Sequence, residues 1–204
     1  MALPEAEVQT ADPDRLFGAL VDTYLSHHPD GDVALLDRAY EAAAQAHEGQ
    51  MRQTGDPYIT HPLIVTDVLA EYGMDAPTLV AAILHDVVED TPVSLDDIRD
   101  DFGDEVATLI DGVTKLDRIK FSSREEHQAA TIRKMAIAMA RDIRVLLIKL
   151  ADRLHNIRTL GPLPLPKQER IAEETIEVYA PLAHRLGVQE IKHEMEERLS
   201  LIHI

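Results

Sequence analysis

Two stretches of this chain, Leu79-Val80-Ala81-Ala82-Ile83-Leu84 and Val145-Leu146-Leu147-Ile148-Lys149-Leu150-Ala151, are apolar on nearly every side. A segment without a polar face does not sit on a surface, so both predict helices buried in a helical core. Each runs directly into ionisable residues, His85-Asp86-Val87-Val88-Glu89-Asp90 after the first and Asp152-Arg153-Leu154-His155-Asn156-Ile157-Arg158-Thr159 after the second. On a continuous helix His85 and Glu89 are i,i+4, as are Asp86 and Asp90, so the four project as two adjacent rows on one side. Burying that much carboxylate uncompensated costs many kcal/mol, which predicts a cation between the rows, most simply a divalent metal with further ligands from elsewhere in the chain.

The remaining pattern is helical throughout. Helices are expected over Asp14–Ser26, Asp32–Ala46, His61 to near Gly73, Leu79–Glu89 with Asp75 as N-cap, Ser94–Asp100 and a long one from Gly103. Others follow over Ala129–Ala140, Arg144–Thr159, Lys167–Leu186 and Val188–Ile204. With only 4% aromatic residues and no alternating runs, the chain reads as all-α with about ten helices. Residues 1–12 carry no periodicity and read as a disordered tail before one domain over 13–204. Glu48–Pro57 is a polar loop punctuated by Gly and Pro, Arg118–His127 a mobile polar one, and Gly161-Pro162-Leu163-Pro164-Leu165-Pro166 a stiff connector.

Cysteine is absent, and no apolar run approaches the ~20 residues of a membrane helix; the chain reads as soluble and cytoplasmic, with no membrane partner. Thirty-seven acids against twenty bases give a net charge of −17, which argues against DNA or RNA binding and requires that any anionic substrate meet local cations. On the second buried helix Asp152, Asn156 and Thr159 fall on one stripe. His61 opens the helix after the polar loop, and His61, His85, Asp86 and Asp152 together make an N/O ligand set for a borderline divalent ion, manganese or else iron, zinc or magnesium.

The spacing His61…His85-Asp86…Asp152 resembles the H…HD…D pattern of HD-domain metal-dependent phosphohydrolases. Finer matches are Arg52-Gln-Thr-Gly-Asp-Pro-Tyr-Ile-Thr-His61, His85-Asp-Val-Val-Glu-Asp90, Gly112-Val-Thr-Lys-Leu116, Lys149-Leu-Ala-Asp-Arg-Leu-His-Asn-Ile-Arg-Thr159 and Ala180-Pro-Leu-Ala-His-Arg-Leu-Gly187. Together they are similar to the hydrolase domain of RelA/SpoT-type bifunctional alarmone enzymes, over a core of roughly residues 33–198. The resemblance implies an HD-domain helical bundle that hydrolyses (p)ppGpp at its 3′-pyrophosphate, giving GDP or GTP and pyrophosphate, usually with Mn2+. It also implies residue roles. His61, His85, Asp86 and Asp152 match metal ligands, and Glu89 and Asp90 match the acidic pair that orients or activates water. Arg52 matches a residue packing on guanine; Thr54, Asn156 and Thr159 match positions facing the nucleotide; Lys115, Arg153 and Arg158 are candidates for neutralising phosphate.

Gln53 stands where the family often has a basic residue, and the chain is too short for the synthetase half of the bifunctional enzymes, so it reads as a free-standing hydrolase or an excised domain that does not make the alarmone. Taken singly, each cation is more often a solvated charge, and Asp152 is as well explained by a salt bridge. His27, His28, His47, His127, His184, His193 and His203 read as surface or packing residues, and His155, offset from Asp152 around the helix, as packing. Two alternatives stand beside the alarmone hydrolase: an HD-type phosphohydrolase of another nucleotide, and a non-catalytic nucleotide-sensing module.

Overall fold

The computed structural model describes residues 11–117 and 142–201. The readings of a disordered tail (apart from its last two residues), of a mobile loop over 118–127 and of a helix over 129–140 lie outside the described residues, as do His127 and His203.

Aspartate side chains cap four of the helices. Asp12, Asp32, Asp75 and Asp142 each accept from a backbone N–H of the first turn of α1 (Pro13–His27), α2 (Val33–Ala46), α4 (Ala76–Ile83) and α7 (Ile143–Arg158). Between these lie α3 (Thr60–Glu71), the single turn α5 (Val87–Asp90) and α6 (Leu95–Asp117). α8 (Leu165–Glu174) passes through a π-helical turn, Thr175–Tyr179, into α9 (Ala180–Leu186), and α10 (Gln189–Leu201) follows. Counting the run from Leu165 to Leu186 and α6 each as one helix and setting aside the single turn, eight helices stand among the described residues; of the ten expected, the one over 129–140 lies outside them and two are merged in α6. No strand occurs among them, and an isolated bridge joins Met51 to Pro57.

The two apolar runs sit where their sequence requires. All but Pro77 of the eight residues of α4 are buried, α3 buries nine of its twelve, and α7 buries ten of sixteen. α3 lies between α1, α4 and α7, and α4 is further covered by α2 and α6. Gly112 on α6 permits that helix to approach α7, because a Cβ there would stand 2.7 Å from Val145 Cγ2. Gly103, with φ 89°, breaks α6 into the short and long helices expected from the sequence.

One expectation fails in an informative way. The helix read over Leu79–Glu89 ends at Ile83, and residues 84–86 form a turn before α5. The two i,i+4 rows of a single helix therefore do not exist. His85 and Asp86 are presented by a break in the helix, at the C-terminal end of the most buried segment of the core.

Candidate active site

Three elements converge at that break. His61 sits in the first turn of α3, Asp152 in the third turn of α7, and His85 and Asp86 in the 84–86 turn. One ligand atom from each of His61, His85 and Asp86 lies within 4.8 Å of the others. Asp152 joins them through His61, whose Nε2 is 3.3 Å from Asp152 Oδ1 and 3.5 Å from Asp86 Oδ2.

The histidine nitrogens have defined roles. His85 Nδ1 lies 2.7 Å from the carbonyl of Ala82, an atom that only accepts, so Nδ1 carries the proton. That leaves a lone pair on Nε2, which is buried, makes no hydrogen bond and stands 3.2 Å from Asp86 Oδ1. An unpartnered imidazole nitrogen aimed at carboxylates is the donor set a divalent cation requires. The electrostatics agree. Burial disfavours a charged His85, but the carboxylates of Asp86 and Asp152 outweigh it and raise the imidazole above its ordinary pKa. A site that attracts a proton to Nε2 attracts other cations there too. For His61 burial prevails over the same carboxylates and lowers the pKa. Asp86 and Asp152 are both held below the usual carboxylate range despite burial, Asp86 by His85 and His61, Asp152 first by Lys149 and then by His61. The Lys149 Nζ stands 2.6 Å from Asp152 Oδ2, and Asn156 Nδ2 donates to Oδ1 at 2.7 Å, which fixes the rotamer of the carboxylate.

His61, Asp86 and Asp152 line a cavity of about 450 Å3. Its polar lining is completed by Arg52, Gln53, Thr54, Tyr58, Lys149, Asn156, Thr159 and Lys167, and its apolar lining is Met51, Leu163 and Ile171. The 50–58 loop is a tight hairpin closed by Arg52 N–H to Asp56 O (2.9 Å) and Tyr58 N–H to Gln50 O (3.0 Å). It carries Arg52 over the cavity, with Nη2 3.4 Å from Asn156 Oδ1 and 3.5 Å from Thr159 Oγ1. Thr54 faces the same space, its hydroxyl donating to Asp56 at 2.8 Å.

Glu89 and Asp90 are exposed on α5, outside the cavity lining, and Asp90 is joined to Asp86 by a residue the sequence reading passed over. Tyr58 Oη lies 2.8 Å from Asp86 Oδ2 and 2.9 Å from Asp90 Oδ2, and with one proton it donates to one of them at a time. Burial, then the two carboxylates, push its phenol pKa upward, so it stays a donor. Tyr58 stands inside the Arg52–His61 motif, but a tyrosine beside a proline and an isoleucine carries no signal of a polar task.

Three expected phosphate contacts are placed elsewhere. Lys115 is exposed on α6 and paired with Asp111. Arg153 points from the opposite side of α7, its guanidinium 4.1 Å from the Tyr179 ring centroid and 2.9 Å from Glu174. Arg158 makes a bidentate pair with Glu194 of α10, both bonds 2.7 Å. A helical residue one position from Asp152 is turned by about 100°, which carries Arg153 out of the site. The cations that do line the cavity are Arg52, Lys149 and Lys167. His155, read as packing, is also in the site's support, with Nδ1 2.6 Å from His61 Nδ1.

Comparison with known proteins agrees with this geometry. A family model described as HD domain matches residues 39–189. The chain belongs to the HD-domain family. This HD domain is 55% identical over 178 residues to the bifunctional (p)ppGpp synthase/hydrolase SpoT of Escherichia coli, covering 87% of the chain and 25% of that protein. It is 61% identical over 162 residues to a GTP pyrophosphokinase of Streptomyces coelicolor, covering 79% of the chain and 19% of that protein. A solved structure of a metazoan ortholog of SpoT, which hydrolyzes ppGpp, superposes with a TM-score of 0.65 at 27% identity, covering 82% of this chain and 95% of that one. The HD domain thus spans about a fifth to a quarter of the curated relatives; the synthase activity named for SpoT goes with a protein about four times as long as the matched region. Among the described residues no helix is long and apolar enough to cross a membrane.

Proposed function

We propose that this HD domain is a metal-dependent guanosine-3′,5′-bis(diphosphate) 3′-pyrophosphohydrolase that converts (p)ppGpp to GDP or GTP and pyrophosphate. The observation that carries the reading is the junction of a His61, His85, Asp86 and Asp152 ligand cluster with a nucleotide-sized cavity walled by Arg52, Asn156 and Thr159. The name of the SpoT relatives and the ppGpp hydrolysis of the metazoan ortholog support the substrate.

His61, His85, Asp86 and Asp152 would hold the divalent ion, a mixed N/O set that admits Mn2+ as well as other borderline ions. When bound, the ion supplies positive charge to the phosphoryl oxygens and makes a water acidic enough to attack at neutral pH. Glu89 and Asp90 would orient the attacking water and accept its proton from outside the cavity lining, Asp90 being linked to Asp86 through the Tyr58 hydroxyl. Arg52 lays its planar guanidinium on the guanine base, with Thr54, Asn156 and Thr159 on the nucleotide and Lys149 and Lys167 toward phosphate. Local cations of this kind are what a domain of net charge −17 needs to admit a tetraphosphate.

The test is incubation of the metal-stripped protein with ppGpp, with and without MnCl2, resolving the nucleotides. Mn2+-dependent GDP with equimolar pyrophosphate is expected. Release of single phosphates, or turnover of deoxynucleotides in preference to ppGpp, would replace the substrate while keeping the metal site.

A further inference from the structure

His155 is a buried polar group that the proposed chemistry does not use. It lies in α7 one turn beyond Asp152, is 4% exposed, and meets His61, 2% exposed, through Nδ1 of both rings at 2.6 Å. Two imidazole nitrogens at that distance share one proton: two bare lone pairs repel and two N–H groups clash. The question is which ring carries it.

The other nitrogen of His61 answers it. His61 Nε2 is the atom that faces Asp152 and Asp86. A metal-ligating nitrogen is bare, so the proton of a neutral His61 stands on Nδ1, and the atom opposite accepts. We infer that His155 is a positioning residue for the metal site: with its own proton on Nε2, it accepts from His61 Nδ1–H and so turns the Nε2 lone pair of His61 toward the ion. This inference rests on the metal reading of the cluster. It also draws a contrast between the two histidine ligands. His85 is set by the Ala82 carbonyl, which can only accept. His61 is set by a ring that accepts in one tautomer and donates in the other, so its competence as a ligand depends on a residue that never touches the ion. In the reverse arrangement His155 donates, the His61 proton moves to Nε2, and that nitrogen hydrogen-bonds to Asp152 instead of binding metal.

The experiment is calorimetric titration of MnCl2 into metal-stripped wild type, His155→Asn and His155→Leu, each first checked for folding by circular dichroism. Asparagine places an amide oxygen near the position of Nδ1; leucine fills the volume without an acceptor. Removing a partner behind a metal-bound imidazole costs roughly 10–100-fold in affinity. His155→Leu is expected to lose that much, and His155→Asn to stay within about threefold of wild type. A purely structural role would lower the stability of both variants alike and leave metal affinity where it was. Leucine binding as tightly as wild type, or asparagine as weakly as leucine, overturns the inference. Wild type that binds no Mn2+ overturns the metal reading with it. Nitrogen-15 spectra of the Zn2+-loaded wild type give a second test that needs no variant. A His155 protonated on Nε2, with N–N coupling across the hydrogen bond to His61, is expected, and a His155 protonated on Nδ1 overturns it.

Discussion

The two sides of α7 have opposite fates. One side carries Lys149, Asp152, Asn156 and Thr159 into the cavity. The other carries Arg153 against Tyr179 and Glu174, and Arg158 onto Glu194. The residues alternate along one 11-residue stretch, and its cations Lys149, Arg153 and Arg158 look equally suited to a phosphate. What separates them is the angular step of the helix and the presence of a carboxylate on the C-terminal elements for each rear-facing arginine. Each rear-facing guanidinium is partly buried and paired with a carboxylate, Arg153 with Glu174 and Arg158 with Glu194, which holds it away from the cavity. The front of the helix faces the cavity, and the back is paired to the C-terminal elements.

Substitutions on the two sides test this division. The largest effect is expected on the front, where Asp152→Ala removes a ligand and the partner of Lys149. Bound Mn2+ and ppGpp turnover should both vanish in a protein that still folds, and retained Mn2+-stimulated turnover would break the site. Next comes the acidic pair: Glu89→Gln with Asp90→Asn should keep the metal by calorimetry and lose kcat by ~10²–10⁴-fold, the usual span of an acid–base contribution. Arg52→Ala should act mainly on KM, raising it on the order of tenfold, as expected for a charged contact to the bound nucleotide. An effect confined to kcat would contradict a base-stacking role.

The smallest effect belongs to the back. Arg158→Ala should leave KM and kcat within about twofold, whereas a large rise in KM would return Arg158 to the phosphate. Its signature is in stability against pH. Hydrogen bonding to Arg158, against burial, holds the Glu194 carboxyl at about 2, below its ordinary 4.5. A folded-state pKa that is depressed gives stability present above 4.5 and lost as pH falls toward 2. The wild-type advantage over Arg158→Ala in urea midpoint should therefore be full at pH 6 and shrink through this acid window. For so solvated a pair it amounts to no more than about 1 kcal/mol.

Much of this was legible in the sequence. The two all-apolar runs announced the central helices, Asp75 the start of one of them, and the His61, His85-Asp86 and Asp152 positions a cluster that the fold does bring together, because a buried ionisable residue is an anomaly wherever it falls. What the sequence did not reveal was direction. Arg153 and Arg158 lie off the Asp152 stripe, but nothing local marks the distant carboxylates, Glu174 and Glu194, that pair with them. The helix end at Ile83 was masked by a run of residues that are all compatible with helix. Tyr58 and His155 act through partners 28 and 94 residues away. Such pairings exist only once α3, α7 and the 84–86 turn have met.

That three-way meeting has a thermodynamic consequence. No unfolded chain brings His61, the His85–Asp86 turn and Asp152 together, so an ion that needs all three binds the native state alone. Free ion at a hundredfold excess over its Kd would then add about 2.7 kcal/mol to the unfolding free energy. For a chain of this length that is a rise in Tm of roughly 5–10 °C. The melting curve of the protein is thereby a meter of its own metal occupancy, readable with no substrate in the tube.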